Sequence, residues 1–183
     1  QGSFSSNTGV APFNFGKLGI NLAVTDTEIY VAGEFLSSFS FGATILNNST
    51  GGFNTKEAFI AKYSSNSWQW AELIGGPSGE DIQDITLSPN GTSLFVTGSF
   101  EGSISVGNTS IQTQGQEAFV AEYDVNGNFQ VIKKAGNGSG DLGQGVIGSD
   151  DGDVFVSGNF FADGFFDSDT ITSSGSSDVF IAK

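Results

Sequence analysis

EAFIAKY at residues 57–63, EAFVAEY at 117–123 and SDVFIAK at 177–183 are one phrase written three times. Their phenylalanines, Phe59, Phe119 and Phe180, stand 60 and 61 residues apart. A second phrase, YVAGEF (30–35), FVTGSF (95–100) and FVSGNF (155–160), carries Gly33, Gly98 and Gly158 at separations of 65 and 60. A period near sixty that runs through the whole chain means one supersecondary unit used repeatedly, each copy burying its apolar surface against the next. The units are residues 4–62, 63–122 and 123–183, which together form a single repeat domain over 1–183.

Within a unit the apolar residues alternate with a period of two, and no stretch sustains a helical period. DITLS (84–88) and SLFVTGSF (93–100) flank PNGT, whose Asn-Gly pair suits a tight hairpin turn. A second hairpin joins EAFVAEY to FQVIKK through DVNGN, and EAFIAKY to WQWAEL through SSNS. Four strands per unit, with Gly-rich joints GGPSGED and GNGSGD between units, predict stacked or radially arranged four-stranded antiparallel sheets. The expected fold is an all-β, propeller-like array of three such blades, spanning about 19–74, 82–134 and 145–183. The strand order in each is the ITLS type, then FVTGSF, then EAFVAEY, then the WQWAEL type.

Composition agrees and removes several function classes. The 183 residues include 18 Phe and 27 Gly but no Met, Cys or His, so the apolar mass is aromatic and β-branched. All six basic residues are lysines against 20 acids, a formal charge of -14, which leaves no guanidinium to grip phosphate and disfavours nucleic acid and anionic membranes. No disulfide or thiolate metal site exists without cysteine. No run approaches the roughly 18 apolar residues of a membrane span, so no membrane insertion is expected, and any signal peptide is expected to have been removed already or never to have existed. Without His or Cys the common nucleophile–base pairs cannot be built. That leaves paired carboxylates such as Glu80, Asp81 and Asp84 as the thin case for catalysis. The chain is therefore read as not an enzyme.

These phrases resemble the SBBP repeats, a family named for the seven-bladed β-propeller. Residues 57–116, EAFIAKYSSNSWQWAELIGGPSGEDIQDITLSPNGTSLFVTGSFEGSISVGNTSIQTQGQ, follow its unit almost phrase by phrase. The first unit departs from it, since FSSNTGVAPFNFGKLG lacks the Trp and the acidic joint. The resemblance implies blades of a propeller in a large extracellular or cell-surface protein with a structural or binding role, and it brings no catalytic residues.

The repeat is out of phase with the chain. Counted in blades, the third lacks its outermost strand, while residues 1–15 form a strand of the missing type with no blade of their own. Three blades fall short of the four to eight that usually close a ring. The expectation is that residues 1–15 of a neighbouring chain complete the third blade, building a filament or ring of identical subunits by strand addition. Phe4, Val10, Phe13 and Phe15 are the expected donor residues. Phe180 and Ile181 are the expected acceptors, with Val179 and Ala182 on the opposite face. A longer repeat array, of which this stretch is a part, accounts for the same phase.

Other motifs carry weaker readings. SDDGD (149–153) and DGFFDSD (163–169) gather Asp150, Asp151, Asp153, Asp163, Asp167 and Asp169 as candidates for weak calcium binding, beside the plainer reading as solvated loop acids. DVNGN is better explained as a hairpin turn than as a calcium loop, because position 135, where a bidentate Glu is needed, is Ala. Apart from that calcium, no cofactor is expected. Asp81 and Asp141 occupy matching places at the joints and are expected to cap turn amides. Asn47, Asn48, Asn90, Asn108 and Asn137 head glycosylation sequons in polar surroundings, which suits an extracellular setting. Trp68 and Trp70 alternate on one strand and so share a face, as do Phe13 and Phe15. Packing is their first reading, and a stacking platform in a lectin-like module that binds surface glycans is the alternative.

Overall fold

The computed structural model describes residues 19–48 and 55–183, and every regular element in them is a strand. In chain order these are β1 (Ile20–Val24), β2 (Glu28–Phe35), β3 (Ser38–Phe41), β4 (Thr44–Asn47), β5 (Glu57–Ser64), β6 (Ser67–Ile74), β7 (Glu80–Leu87) and β8 (Ser93–Val106). They continue with β9 (Thr109–Asp124), β10 (Phe129–Ala135), β11 (Leu142–Gly148), β12 (Val154–Phe160), β13 (Asp163–Phe166), β14 (Asp169–Thr172) and β15 (Asp178–Ala182). No helix among the described residues is long and apolar enough to cross a membrane.

The strands form three main antiparallel sheets, the last strand of the first and of the second sheet coming from the start of the next unit. Their orders are β1-β2-β5-β6, β7-β8-β9-β10 and β11-β12-β15. The expected strand order holds in all three, and the third sheet has three strands. The hairpins close as their turn residues dictate. Gly91, Gly127 and Gly152 carry the positive φ of each turn (72°, 88° and 88°), and in the second Asp124 accepts hydrogen bonds from the amides of Asn126 and Asn128. The carboxylate of DVNGN is thus used up by its own turn.

Each unit also contains a small hairpin that the alternation in the sequence did not reveal. It is β3–β4 in the first unit, the distal halves of β8 and β9 in the second, and β13–β14 in the third. These four-residue strands are too short for a period to show. Two of the hairpins bind the chain just after the preceding sheet's last strand. Gly75 and Ser105 exchange backbone hydrogen bonds of 3.2 and 2.7 Å, and Gly136 and Phe165 exchange bonds of 3.0 and 3.3 Å.

Both faces of the middle sheet are apolar, because its strands alternate two apolar sets instead of one apolar and one polar. In β8, Leu94 and Val96 face the first sheet and Phe95 faces the third. In β9, Phe119, Ala121 and Tyr123 face the first sheet, while Ala118 and half-buried Val120 face the third. The core between the first two sheets joins Tyr30, Ala58 and Ile60 to Ile82, Ile85 and Phe100, with Ile104 and Val106 of the unit-2 hairpin closing its rim. The core between the second and third sheets repeats the plan with Val146, Val156, Phe160 and Phe180.

Four register shifts recur at matching places, and each leaves a glutamine unpaired. Gln83 and Gln144 are extra residues in the first strands β7 and β11, and Gln69 and Gln130 in the last strands β6 and β10. All four side chains are exposed. A bulge reverses the in–out alternation beyond it. For this reason Trp68 and Trp70 do not share a face. Trp68 packs edge-on to Phe41 and Tyr63 on one side of the first sheet, while Trp70 lies against Tyr30 on the other and donates to the Val125 carbonyl.

The repeated glycine of the second phrase has a steric cause. A Cβ on Gly98 would sit inside the carbonyl of Asp81, and one on Gly158 inside the carbonyl of Leu142 and the ring of Phe180. The first and second strands approach too closely there for any side chain. Gly98→Ala is expected to cost about 3 kcal/mol by overpacking. Gly175→Ala, at a position with open space around it, is expected to stay within about 0.5 kcal/mol of the parent. Thermal and urea melts of the two variants check the contrast.

Candidate assembly surface and the buried joints

The third sheet ends on β15, whose register pairs it with β12 through Val156↔Ala182 to Phe160↔Asp178. Among the described residues no strand lies on its other edge. Beside that edge runs a groove of about 650 Å³. Its floor is Val120 and Val131 of the second sheet, its far wall Phe166 and Ile171 of the β13–β14 hairpin, and its near wall Phe180 and Ala182. In the second sheet the matching space, beside β9 and under the unit-2 hairpin, is filled by β10 with Ile132 in the core. Among the described residues, no strand takes the matching place beside β15.

The four expected acceptor residues divide differently from the sequence reading. Successive strand residues point to opposite faces, so Phe180 pairs with Ala182 and Val179 with Ile181. Phe180 is buried and Ala182 packs against the same core, whereas Val179 and Ile181 are 76 % and 79 % exposed. The expected donor residues Phe4, Val10, Phe13 and Phe15 lie outside the described residues.

The joints between sheets concentrate the buried charge. Glu34 on β2 accepts a 3.0 Å hydrogen bond from the Ile82 amide beside the Gln83 bulge, and Asp84 accepts one of 2.9 Å from the Val146 amide beside the Gln144 bulge. A carboxylate of one sheet thus satisfies an amide that the next sheet's bulge releases from its ladder. Lys56 bridges Glu34 and Asp81. Burial raises the Glu34 pKa, partly offset by Lys56. Burial works against the Lys56 charge as well, but its two carboxylate partners outweigh it and the pKa rises.

Asp81 is not the counterpart of Asp141. Glu80 lies opposite Phe100, and the β11–β12 register puts Asp141 opposite the matching Phe160, so the fully buried Glu80 is the equivalent residue. The tripeptide GED against GD had hidden this one-residue offset. Asp141 does cap turn amides, those of Asn137 at 2.7 Å and Phe161 at 2.9 Å. Glu80 has one methylene more and is held differently. Burial, with the buried Glu57 next to it, pushes its pKa up to about 8, and the Gly76 amide draws it only partly back. At the second joint the counterpart of Glu57, Glu117, has cationic Lys134 at 3.0 Å and the Thr113 hydroxyl at 2.7 Å. Both joints hold an ion pair, Lys56 with Glu34 and Asp81 at the first and Lys134 with Glu117 at the second, and the first also buries Glu80 with its raised pKa.

Glu80, Asp81 and Asp84 are accordingly committed to the joints, and they do not face one another across a cleft. The six aspartates of the acidic loops stay in two separate turns. Asp153 pairs with Lys183 at 2.8 Å, Asp163 accepts from Thr172 at 2.7 Å, and exposed Asp167 stands 3.5 Å from Lys133. No group of three acidic side chains that could hold a metal ion forms among the described residues. Of the sequon residues, Asn47 and Asn108 are exposed at a strand end and a hairpin turn, whereas the Asn48 side chain donates to the carbonyls of Leu36 and Thr55. The Asn90 and Asn137 side-chain oxygens accept from their own turns.

Comparison with protein-family models and with characterised proteins finds no match to this chain.

Because folding lifts the Glu80 carboxyl from an ordinary value to about 8, the native state keeps a proton there that the unfolded chain has released. Stability from this group is complete below about pH 4.5 and declines with each pH unit until the folded group itself ionises near 8. Glu80→Gln, neutral at every pH, is expected to flatten that decline and to raise the melting temperature at pH 8 relative to the parent. Urea midpoints at pH 5, 6.5 and 8 measure it.

Proposed function

We propose that this chain is a structural, non-enzymatic module of β-propeller-like repeats that assembles head to tail with further copies of itself in an extracellular or cell-surface setting. Residues 1–15 of one copy enter the groove beside β15 of the next as the fourth strand of the third sheet. The likeness of the repeated phrases to SBBP units supports the blade reading, and the match between the three sheets and the three sequence periods is consistent with it.

The observation that carries the proposal is the groove itself. On one side it has the edge of β15 to which no strand among the described residues is paired, and on the other apolar walls. An added strand gains main-chain hydrogen bonds along β15 and buries alternate side chains against Val131, Phe166 and Ile171. Left open, such an edge promotes aggregation. The donor stretch carries Val10, Phe13 and Phe15 to fill it, and at a formal charge of -14 the subunits stay soluble until a specific contact forms.

Light scattering and negative-stain microscopy of the full chain, and of a variant lacking residues 1–15, test the proposal. Oligomers or filaments are expected for the full chain and a single 19.0 kDa species for the truncated one. A synthetic peptide of residues 1–15 is expected to bind the truncated chain and to block assembly of the full one. A monomeric full chain at micromolar concentration overturns the reading, and so does equal assembly by the truncated chain.

A further inference from the structure

The register makes the three sheets comparable residue by residue, and exposure then shows what each end lacks. Leu22 in β1 stands where Ile85 stands in β7 and Val146 in β11. Ile85 and Val146 are 4 % and 5 % exposed, whereas Leu22 is 59 % exposed, and its face-mates Ile20 and Val24 are 51 % and 63 %. In the second and third sheets this face packs on the sheet before. At the other end, Val179 and Ile181 in β15 stand where Ala58 and Ile60 stand in β5. Ala58 and Ile60 are fully buried against the following sheet, and Ile181 is 79 % exposed. Ile147, the counterpart of buried Ala23, is exposed on the same face.

The apolar clusters show the same thing from inside. The core between the first two sheets has two halves. The second unit contributes Val96, Phe100, Phe119, Ala121 and the hairpin residues Ile104 and Val106. The cluster on the outer face of the first sheet consists of their counterparts, Val31, Phe35, Phe59, Ala61 and the hairpin residues Phe39 and Phe41. It is one half of an inter-sheet core, and no other half covers it among the described residues. Ile147, Val179 and Ile181 on the third sheet supply the type of half that is missing. One chain thus carries both sides of an interface that it already forms twice within itself.

We infer that the first sheet of a second copy stacks on the outer face of the third sheet, bringing Ile20, Leu22 and Val24 of that copy onto Ile147, Val179 and Ile181. The inference rests on the head-to-tail reading above, but it concerns the sheet faces rather than the edge groove. The two surfaces differ, so the contact is heterologous and propagates unless its rotation closes a ring. The register of the two internal interfaces sets the register of this one, with Leu22 entering the neighbourhood of Ile181 as Ile85 enters that of Ile60.

A chain with no cysteine makes the test direct. Leu22→Cys and Ile181→Cys are each made in the full chain and in the chain lacking residues 1–15, at sites exposed enough to leave the fold intact, which circular dichroism verifies. The two variants are mixed and treated with a short bis-maleimide. A heterodimeric cross-link well above the homodimers of either variant alone is expected. Ile181→Glu is expected to weaken association of the full chain about tenfold or more, the scale of one buried isoleucine. Cross-linking that persists without residues 1–15 supports face stacking even if strand donation fails. Oligomers of the full chain with no heterodimeric cross-link overturn stacking and leave strand donation standing. A monomer in both backgrounds overturns both and assigns the faces to flanking repeats or another partner. An intramolecular cross-link in a dilute Leu22→Cys/Ile181→Cys double variant also overturns it, by showing the two faces meeting within one chain.

Discussion

The structure depends on one constraint: every sheet is apolar on both faces. A sheet with one apolar face finds rest in a two-layer sandwich. A sheet with two needs a neighbour on each side, and burying one isoleucine of the kind found at Ile60 contributes roughly 1.5–3 kcal/mol. The middle sheet meets the requirement fully, with Leu94 and Val96 turned to one neighbour and Phe95 to the other. Among the described residues the outer two meet it on one side each. Repetition and open end faces are therefore two consequences of the same alternation.

Close stacking has its own demands. The first two strands of each unit approach until only glycine fits at Gly98 and Gly158. Each sheet must also dispose of the backbone groups its bulges release. The joints do this with carboxylates, Glu34 reaching the Ile82 amide and Asp84 the Val146 amide. Carboxylates are a costly choice in a dry interface unless paired or protonated. The joints show ion pairs, as between Glu117 and Lys134, and at Glu80 an acid whose pKa burial beside Glu57 raises to about 8.

Much of this was legible in the residues. The period of sixty, the hairpins and the strand order follow from where phenylalanine, glycine and the Asn-Gly turn recur, and all are local patterns. What stayed hidden depended on single-residue phase. The bulge at Gln69 sends Trp68 and Trp70 to opposite faces, and one additional acid makes Glu80 rather than Asp81 the partner of Asp141 in the repeat. The short hairpins β3–β4 and β13–β14 offered too few residues for a period, although Phe39, Phe41 and Phe166 close the rims of the cores.

The amino-acid sequence by itself determined that this protein is built of β-strands in three like units, because strand alternation and turn chemistry act over a few residues and leave their mark in every copy. Only the tertiary structure decided which face each side chain takes, which acids lie buried at the joints, and that Val179 and Ile181 stand open where Ala58 and Ile60 are covered. Those outcomes turn on register between strands far apart in the chain. A shift of one residue there exchanges inside for outside, and no local stretch carries the information that would exclude it.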